Sequence, residues 1–227
     1  MIKEVVYEIQ IFSALSASAC CDADRMRHNF DSSGYVTSIM DTLYKGNYTS
    51  YMDFTGVSRS DVSLYRDQWL TSSAEAFMTA FGAGTPSEET TDRIIALLNQ
   101  LYANASYEVT AETPASDGSP QTVQLSIRPL NILKDNYDAI QVYVHSFNEK
   151  NADFSYADLT EEAYYDTYLD GILTILESHL ADMTFGEATT LDIPLEKNSD
   201  GLYTISEDTL TAIQNTLLPW PETDTQQ

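Results

Sequence analysis

Cysteine is scarce in this sequence, because only Cys20 and its neighbour Cys21 occur among 227 residues. A disulfide between adjacent cysteines would close a strained ring and would connect no distant parts of the chain. A disulfide-stapled fold is therefore excluded. Long apolar runs are also missing, and none reaches the roughly 18 residues that a transmembrane helix needs. Any attachment to a membrane would have to come from a lipid or from a partner.

Basic residues are few as well. Eleven lysines and arginines stand against 35 aspartates and glutamates, which gives a formal net charge of -24. A surface of this charge repels the phosphates of nucleic acids and the headgroups of anionic lipids. The composition thus predicts a soluble, acidic protein that does not bind nucleic acid.

The segment before Cys20 is the most informative part of the chain. An apolar run ends in the small residues Ala17, Ser18 and Ala19, directly before the cysteine. This arrangement resembles the signal sequence of a bacterial lipoprotein, in which a peptidase cuts before a cysteine that carries diacylglycerol. The resemblance implies lipid attachment at Cys20. It places the protein on the extracellular face of the cell membrane, held there through the lipid anchor only.

The same segment departs from the lipoprotein pattern in three places. Ala17 stands where leucine is preferred, and Glu4 and Glu8 stand where basic residues are expected. A wrongly placed translation start would explain the two glutamates, so that residues 1–12 would not be the natural leader. The alternative is an amphipathic strand, since apolar and polar residues alternate over residues 4–11.

These features divide the chain into four parts. We expect a lipoprotein-type leader over residues 1–20 and a flexible stalk over 21–32. A single α+β domain would follow over 33–219, with a disordered tail over 220–227.

Helical spacing of apolar residues and capping patterns predict six helices. They cover about 33–46, 58–82, 85–103, 133–149, 158–180 and a short segment after Ser206. Thr85 and Pro86 are expected to open the third helix as its N-cap and first residue. A capping box from Asp158 to Glu161 is expected to open the fifth.

Alternating apolar residues between the helices predict two β-hairpins. The first has strands centred on Val109 and Leu125, and the second has strands around Ile193 and Tyr203 that are joined by a turn at 198–201. The order of elements predicts an α+β fold that is helix-rich, with two β-hairpins forming a small antiparallel sheet packed on one face by helices.

Three stretches, together with the cysteine, carry a resemblance to a known family. They are Leu-Tyr-Lys-Gly at 43–46, Phe-Thr-Gly-Val-Ser at 54–58 and the hairpin at 193–205. Over most of the mature chain the sequence resembles cell-surface lipoproteins of unknown function from Gram-positive Firmicutes. These motifs are structural, so the resemblance implies a surface lipoprotein and carries over no catalytic residue.

Catalytic patterns are weak in this sequence. His28, His145 and His179 lie in no zinc-protease motif and beside no nucleophile elbow. Paired carboxylates are expected by chance in a chain this acidic. The sequence therefore favours a protein without chemistry of its own, and a carboxylate-based hydrolase is the third alternative.

The sharpest local pattern is a possible calcium loop at 196–207. Its expected Ca²⁺ ligands are Glu196, Asn198, Asp200 and Glu207. With Gly201 they match an EF-hand loop, apart from Glu in the first position where Asp is usual. Pro194 forbids an incoming helix, and a hairpin turn explains the same residues. A calcium-stabilised accessory domain is the chief alternative function.

Tyrosine is abundant, with 15 residues. Two groups at helical spacing could stack on sugar rings; they are Tyr44, Tyr48 and Tyr51, and Tyr164, Tyr165 and Tyr168. The same spacing also describes tyrosines that cover the margin of a core. The main expectation is an extracytoplasmic binding or interaction module for a protein, a wall polymer or a small solute.

Overall fold

The computed structural model describes residues 30–113, 121–197 and 203–220. Eight helices and four strands lie within these ranges. In chain order they are α1 (Ser32–Lys45), α2 (Thr49–Thr55), α3 (Arg59–Ala80), α4 (Glu88–Ala103), β1 (Ser106–Thr113), β2 (Gln121–Arg128), α5 (Ile132–Asp135), α6 (Tyr137–Ala152), α7 (Glu161–Ser178), β3 (Thr189–Lys197), β4 (Tyr203–Thr204) and α8 (Glu207–Leu217).

The strands form one antiparallel sheet in the order β1-β2-β3-β4. Val109 of β1 lies opposite Leu125 of β2, and a bulge shifts the register before Ala111. Val123 of β2 lies opposite Ile193 of β3. The two predicted hairpins thus join edge to edge, and the predicted α+β fold class is confirmed.

One face of the sheet is buried. Along β2, Val123, Leu125 and Ile127 are buried and alternate with polar residues that are partly exposed. Helices α1 and α8 pack against β2. The alternation follows from the two-residue period of a strand, which sends successive side chains to opposite faces.

Hydroxyl side chains begin four of the helices. The N-cap residues are Ser58, Ser87, Thr160 and Ser206. Each has an extended backbone, and its side-chain oxygen accepts a hydrogen bond from the backbone N–H three residues later. These bonds satisfy donors that the first turn of a helix leaves free.

Two predicted helix starts were wrong. α4 begins at Glu88 and not at Pro86, because the Ser87 hydroxyl caps the helix in place of Thr85. α7 begins at Glu161 because Thr160 supplies the cap. In both cases two possible N-cap residues lie close together in the sequence, and the more C-terminal one caps the helix.

The helices also differ from the prediction in number. The short helix α2 was not predicted, since seven residues with only Tyr51 buried show no periodic apolar face. The predicted fourth helix is divided at Asn136 into α5 and α6. The buried Asn136 side chain donates a hydrogen bond to the Ile132 carbonyl at 2.8 Å. This local bond competes with continuation of the helix.

The described chain begins in an aromatic cluster beside β4. The Phe30 ring stacks on the Tyr203 ring with centroids 4.3 Å apart. The Tyr35 hydroxyl donates a hydrogen bond to the Tyr203 carbonyl at 2.9 Å. Phe30, just before α1, and Tyr35, in the first turn of α1, are thereby joined to Tyr203 of β4.

Candidate functional site

Three of the predicted site residues lie outside the described ranges. They are the lipid-attachment residue Cys20 and the calcium-loop residues Asn198 and Asp200.

The other two predicted calcium ligands flank the β3–β4 turn. Glu196 lies in β3 and pairs with Thr204 of β4, and Glu207 is the first residue of α8. The element that enters the loop is a strand containing Pro194, whereas an EF-hand has a helix there.

The histidines are separated from one another. His28 lies outside the described ranges. His145 Nε2 is 3.3 Å from a carboxylate oxygen of Glu149 on the same exposed helix face. His179 Nδ1 lies 2.8 Å from the Ile175 carbonyl at the end of α7. Within residues 30–113, 121–197 and 203–220, no three His, Cys, Asp or Glu side chains are grouped as a metal site would require.

A small crevice between α3, α4 and α8 contains a buried amide. Gln214 Nε2 donates to Tyr102 Oη at 3.3 Å and to Ser73 Oγ at 3.5 Å. The crevice has room for about one water molecule. A space of this size cannot hold a larger ligand.

Two of the three tyrosines in the first predicted group belong to the core. Tyr44 and Tyr51 are 2% and 3% exposed, so neither presents a ring face to a ligand. Tyr48 is half-buried, and the Arg59 guanidinium lies over its ring at 5.7 Å from the centroid. The three tyrosines therefore form no shared platform for a sugar.

The second tyrosine group is divided between packing and surface. The Tyr168 hydroxyl donates a hydrogen bond to the Phe81 carbonyl at 2.9 Å. The Tyr165 ring lies against Gly84 and leaves no room there for a Cβ atom. These two tyrosines hold α7 against the segment between α3 and α4. Tyr164, the third member of the group, packs elsewhere, at the turn between α6 and α7.

Aromatic and apolar side chains occupy the turn where α6 meets α7. We call this set the aromatic tip; its members are Phe147, Phe154, Tyr156, Leu159 and Tyr164. Phe147 is 2% exposed and forms the base. The Tyr156 ring stacks on it at a centroid distance of 4.7 Å, and the Tyr164 ring meets it edge-on at 5.2 Å. Phe154 and Leu159 stand in solvent, 80% and 40% exposed.

Phe154 has an unusual backbone conformation. Its φ of 58° lies in the left-handed region, and among the described residues no other non-glycine residue has a positive φ. The Phe154 N–H donates to the Asn151 carbonyl, and the Ser155 N–H donates to the Lys150 carbonyl, both at 3.0 Å. This pair of bonds is a Schellman motif, whose left-handed position is usually glycine. A large exposed ring therefore stands where the backbone favours no side chain at all.

Acidic residues lie beside the aromatic tip in the sequence. Asp153, Asp158, Glu161 and Glu162 are all exposed. None of these four carboxylates forms an ion pair in the described parts of the chain. Lys150 is the single lysine or arginine between residues 147 and 164. The surface thus joins apolar side chains to unpaired anionic groups.

Polar contacts fix the second helix of the tip to α4. Asp166 Oδ1 accepts hydrogen bonds from the backbone N–H and the hydroxyl of Ser87, both at 2.9 Å. Burial acts to raise the pKa of Asp166, but hydrogen bonds from Thr90 and Ser87 outweigh it and hold that pKa below its usual value. The Arg93 guanidinium makes two hydrogen bonds to Glu177, at 2.8 and 2.7 Å. The tip therefore projects from a well-braced helix.

The hydroxyls of Tyr143, beside the tip, and of Tyr164, within it, have hydrogen-bond partners in the domain. Burial, with a smaller effect of Tyr156, raises the pKa of Tyr143 to about 12. The Tyr143 hydroxyl donates to the Thr167 carbonyl at 2.8 Å. The Tyr164 hydroxyl accepts a hydrogen bond from Asn151 at 3.3 Å. These groups supply ring surface and no acid or base for chemistry at neutral pH.

Sequence reasoning did not find the aromatic tip as a unit. It named Tyr164 but not Phe154, Tyr156 or Leu159. The available signal was a run of apolar residues inside the polar segment between two helices, Asn-Ala-Asp-Phe-Ser-Tyr-Ala-Asp-Leu at 151–159.

Among the described residues, no helix combines the length and the apolar character that crossing a membrane requires.

No protein-family model matches this chain, and no curated protein matches it by sequence. Among solved structures, the fold is similar to that of ycdA of Bacillus subtilis, a protein assigned as a lipoprotein. The TM-score is 0.56 and the identity 17%, over 83% of this chain. This chain spans 56% of the length of that protein. At this identity the likeness establishes a shared fold alone.

Proposed function

We propose that this protein is an extracytoplasmic lipoprotein, anchored through Cys20, whose domain is a binding module. Two observations support the anchor. The small residues before Cys20 resemble a lipoprotein signal, and a protein of similar fold, from a Firmicute, is assigned as a lipoprotein.

The aromatic tip is the proposed binding surface, and Phe154 is the observation that carries the proposal. Its ring is 80% exposed and its backbone is held in a conformation that disfavours side chains. Neither feature stabilises the domain. Strained residues of this kind cluster at functional surfaces, and exposed aromatic side chains are typical contact residues in interfaces.

Binding fits the tip better than catalysis does. The exposed side chains of Phe154 and Leu159 carry no reactive group, and the hydroxyl of Tyr143 is kept protonated and bonded. A contact surface needs only shape, apolar area and charge.

A ligand panel tests this function on the full chain. The probes are an amphipathic cationic peptide, oligomers of N-acetylglucosamine, free amino acids and anionic lipid vesicles. Each is added well above its expected dissociation constant, since a ligand at about 100 times that constant stabilises a fold by about 2.7 kcal/mol. Unfolding is followed by the tyrosine and tryptophan fluorescence of the protein.

Two variants make the panel specific. Phe154→Ala removes the exposed ring of the tip, and Leu64→Ala removes an apolar side chain on α3 that is 56% exposed. A probe that raises the melting temperature of the wild type and of Leu64→Ala, but not of Phe154→Ala, supports the proposal. If no probe class depends on Phe154, the aromatic tip is not the binding surface.

A further inference from the structure

We infer that the occupant of the aromatic tip is a protein segment that combines lysine or arginine with apolar side chains. The inference rests on the proposed function and narrows it to one class of partner.

Charge complementarity is the first argument. The exposed carboxylates of Asp153, Asp158, Glu161 and Glu162 lie next to tip residues in the sequence and have no ion-pair partners in the described ranges. Asp153 and Asp158 lie in the turn between the helices, so stabilisation of a helix N-terminus explains only the two glutamates. A cationic segment would neutralise all four charges, and the net charge of -24 would speed its approach.

The shape of the tip is the second argument. Small solutes are bound in concave sites that enclose most of their surface, whereas Phe154 projects with 80% of its surface in solvent. Such a side chain is suited to enter a pocket on a larger partner.

Charge also ranks the other possible occupants. The carboxylates at the tip can accept hydrogen bonds from the hydroxyls of a neutral glycan, but such a ligand would leave their negative charge uncompensated. A cationic segment compensates that charge, and its apolar side chains match the ring surface. Anionic wall polymers and anionic membranes would be repelled by the carboxylates.

The test uses the full chain and four probes. One peptide alternates lysine with leucine, a second replaces leucine by serine, and a third replaces lysine by glutamate. The fourth probe is an oligomer of N-acetylglucosamine. Binding is measured by isothermal titration calorimetry at low and at physiological salt, and sedimentation velocity reports self-association.

We expect the lysine–leucine peptide alone to bind, and more weakly at physiological salt. Phe154→Ala should weaken its binding about tenfold, and the double change Asp153→Asn with Asp158→Asn should reduce its salt dependence. The matched control is Asp53→Asn with Asp67→Asn, which removes the same charge from exposed positions on α2 and α3. That control and Leu64→Ala should bind the peptide like the wild type.

Four results would overturn the inference. Equal weakening by both double variants would mean that the peptide follows net charge only. Equal binding of the serine peptide and the lysine–leucine peptide would show that apolar side chains of the partner do not contribute to binding. Phe154-dependent binding of the glycan, or Phe154-dependent self-association, would reject a cationic peptide as the occupant. The proposed function would stand, because the tip would still be a binding surface. Failure of every probe to depend on Phe154 would reject the inference together with the proposed function.

Discussion

At the scale of single residues, Phe154 is unusual because it carries a large side chain at a backbone position that favours glycine. A non-glycine residue in the left-handed region loses about 1–2 kcal/mol, and the ring is too exposed to recover this by packing. Gly46, Gly56 and Gly82 occupy the left-handed positions that follow three other helices. The chain thus has glycine at the left-handed positions after three helices, and it has phenylalanine at the equivalent position of the aromatic tip.

Replacing Phe154 by glycine should therefore stabilise the domain. Relief of the backbone strain outweighs the extra freedom that glycine gives the unfolded chain, and we expect a gain of about 0.5–1 kcal/mol, or about 1–4 °C in melting temperature. Thermal unfolding followed by circular dichroism measures the change.

Phe154→Ala is the control for this prediction, because it removes the ring and keeps the strained Cβ. Its melting temperature should stay close to that of the wild type. A lower melting temperature for Phe154→Gly would show that the ring stabilises the fold, and the argument for a contact role would fail.

The structural role of a single residue could be predicted from the sequence only where that residue type has one common use. Glycine after a periodic stretch correctly predicted the end of α1 at Gly46, and Ser206 correctly predicted the start of α8. No sequence rule places phenylalanine in a Schellman motif, so Phe154 could not be identified from sequence.

At the scale of elements, Asp166 is one of two polar connections between α7 and α4, the other being Arg93 with Glu177. Asp166 accepts two hydrogen bonds from Ser87, which is itself the N-cap of α4. A negative charge at this end of a helix also interacts favourably with the helix dipole.

Asp166→Ala should destabilise the domain by about 1 kcal/mol at neutral pH. The folded pKa of Asp166 is lowered, so its contribution is present above the unfolded pKa and is lost as pH falls through the folded value. The difference in melting temperature between variant and wild type should therefore shrink below about pH 4. Asp182→Asn, at an exposed position after α7, is the control. A difference that stays constant down to low pH would contradict the proposed role of the charge.

The β3–β4 hairpin gives a prediction about calcium. The element that enters the predicted loop is a strand containing Pro194, whereas an EF-hand has a helix there, so we expect the same melting temperature in calcium and in a chelator. Asp200→Ala should leave both values unchanged. A calcium-dependent increase that Asp200→Ala abolishes would instead establish the calcium loop.

Long elements were predictable because their period repeats several times. α3 and the strand pairs were found in this way, whereas the seven residues of α2 contain too few turns to show a pattern. The break at Asn136 depends on a buried side-chain bond to Ile132. Such a bond forms only when the chain has packed. The apolar pattern of the sequence continues across Asn136 and therefore does not predict the break.

At the scale of the whole molecule, buried tyrosines set the response to alkaline pH. Burial raises the pKa of Tyr35 to about 12, and it raises the pKa of Tyr44 and Tyr51 as well. In the unfolded chain tyrosine ionises near pH 10. Stability is therefore fully present below about pH 10 and falls as pH rises toward the folded values.

Melting temperatures measured across alkaline pH should show this decline, and absorbance of tyrosinate should rise together with unfolding. In Tyr35→Phe the slope of melting temperature against pH should be smaller, because one titrating group is removed. An identical slope would rule out Tyr35 as a contributor.

The proposed lipid anchor is tested on the whole protein in its cell, and the adjacent cysteines provide a matched pair of variants. Cys20→Ser should move the protein from the membrane fraction to the soluble fraction, because this change removes the sulfur at which we propose that the thioether forms. Cys21→Ser should remain with the membrane. Release by Cys21→Ser alone would move the anchor by one residue, and retention of both variants would reject lipid attachment at these cysteines.

Fold class and net charge were predictable because many residues contribute to each. The aromatic tip was not, since it depends on which residues of one turn stay exposed after α6 and α7 have packed. Exposure of Phe154 and burial of Phe147 are outcomes of tertiary structure, and the two residues look alike in the sequence.

The stacking of Phe30 on Tyr203 would limit how far an anchored domain can move from the membrane. If Cys20 carries the proposed lipid, ten residue steps separate the anchor from Phe30, and a fully extended chain covers at most about 3.3–3.6 Å per residue. The β4 edge of the domain would then lie within about 35 Å of the lipid headgroups. A domain kept this near the membrane would favour partners that are themselves attached to the membrane or the inner wall.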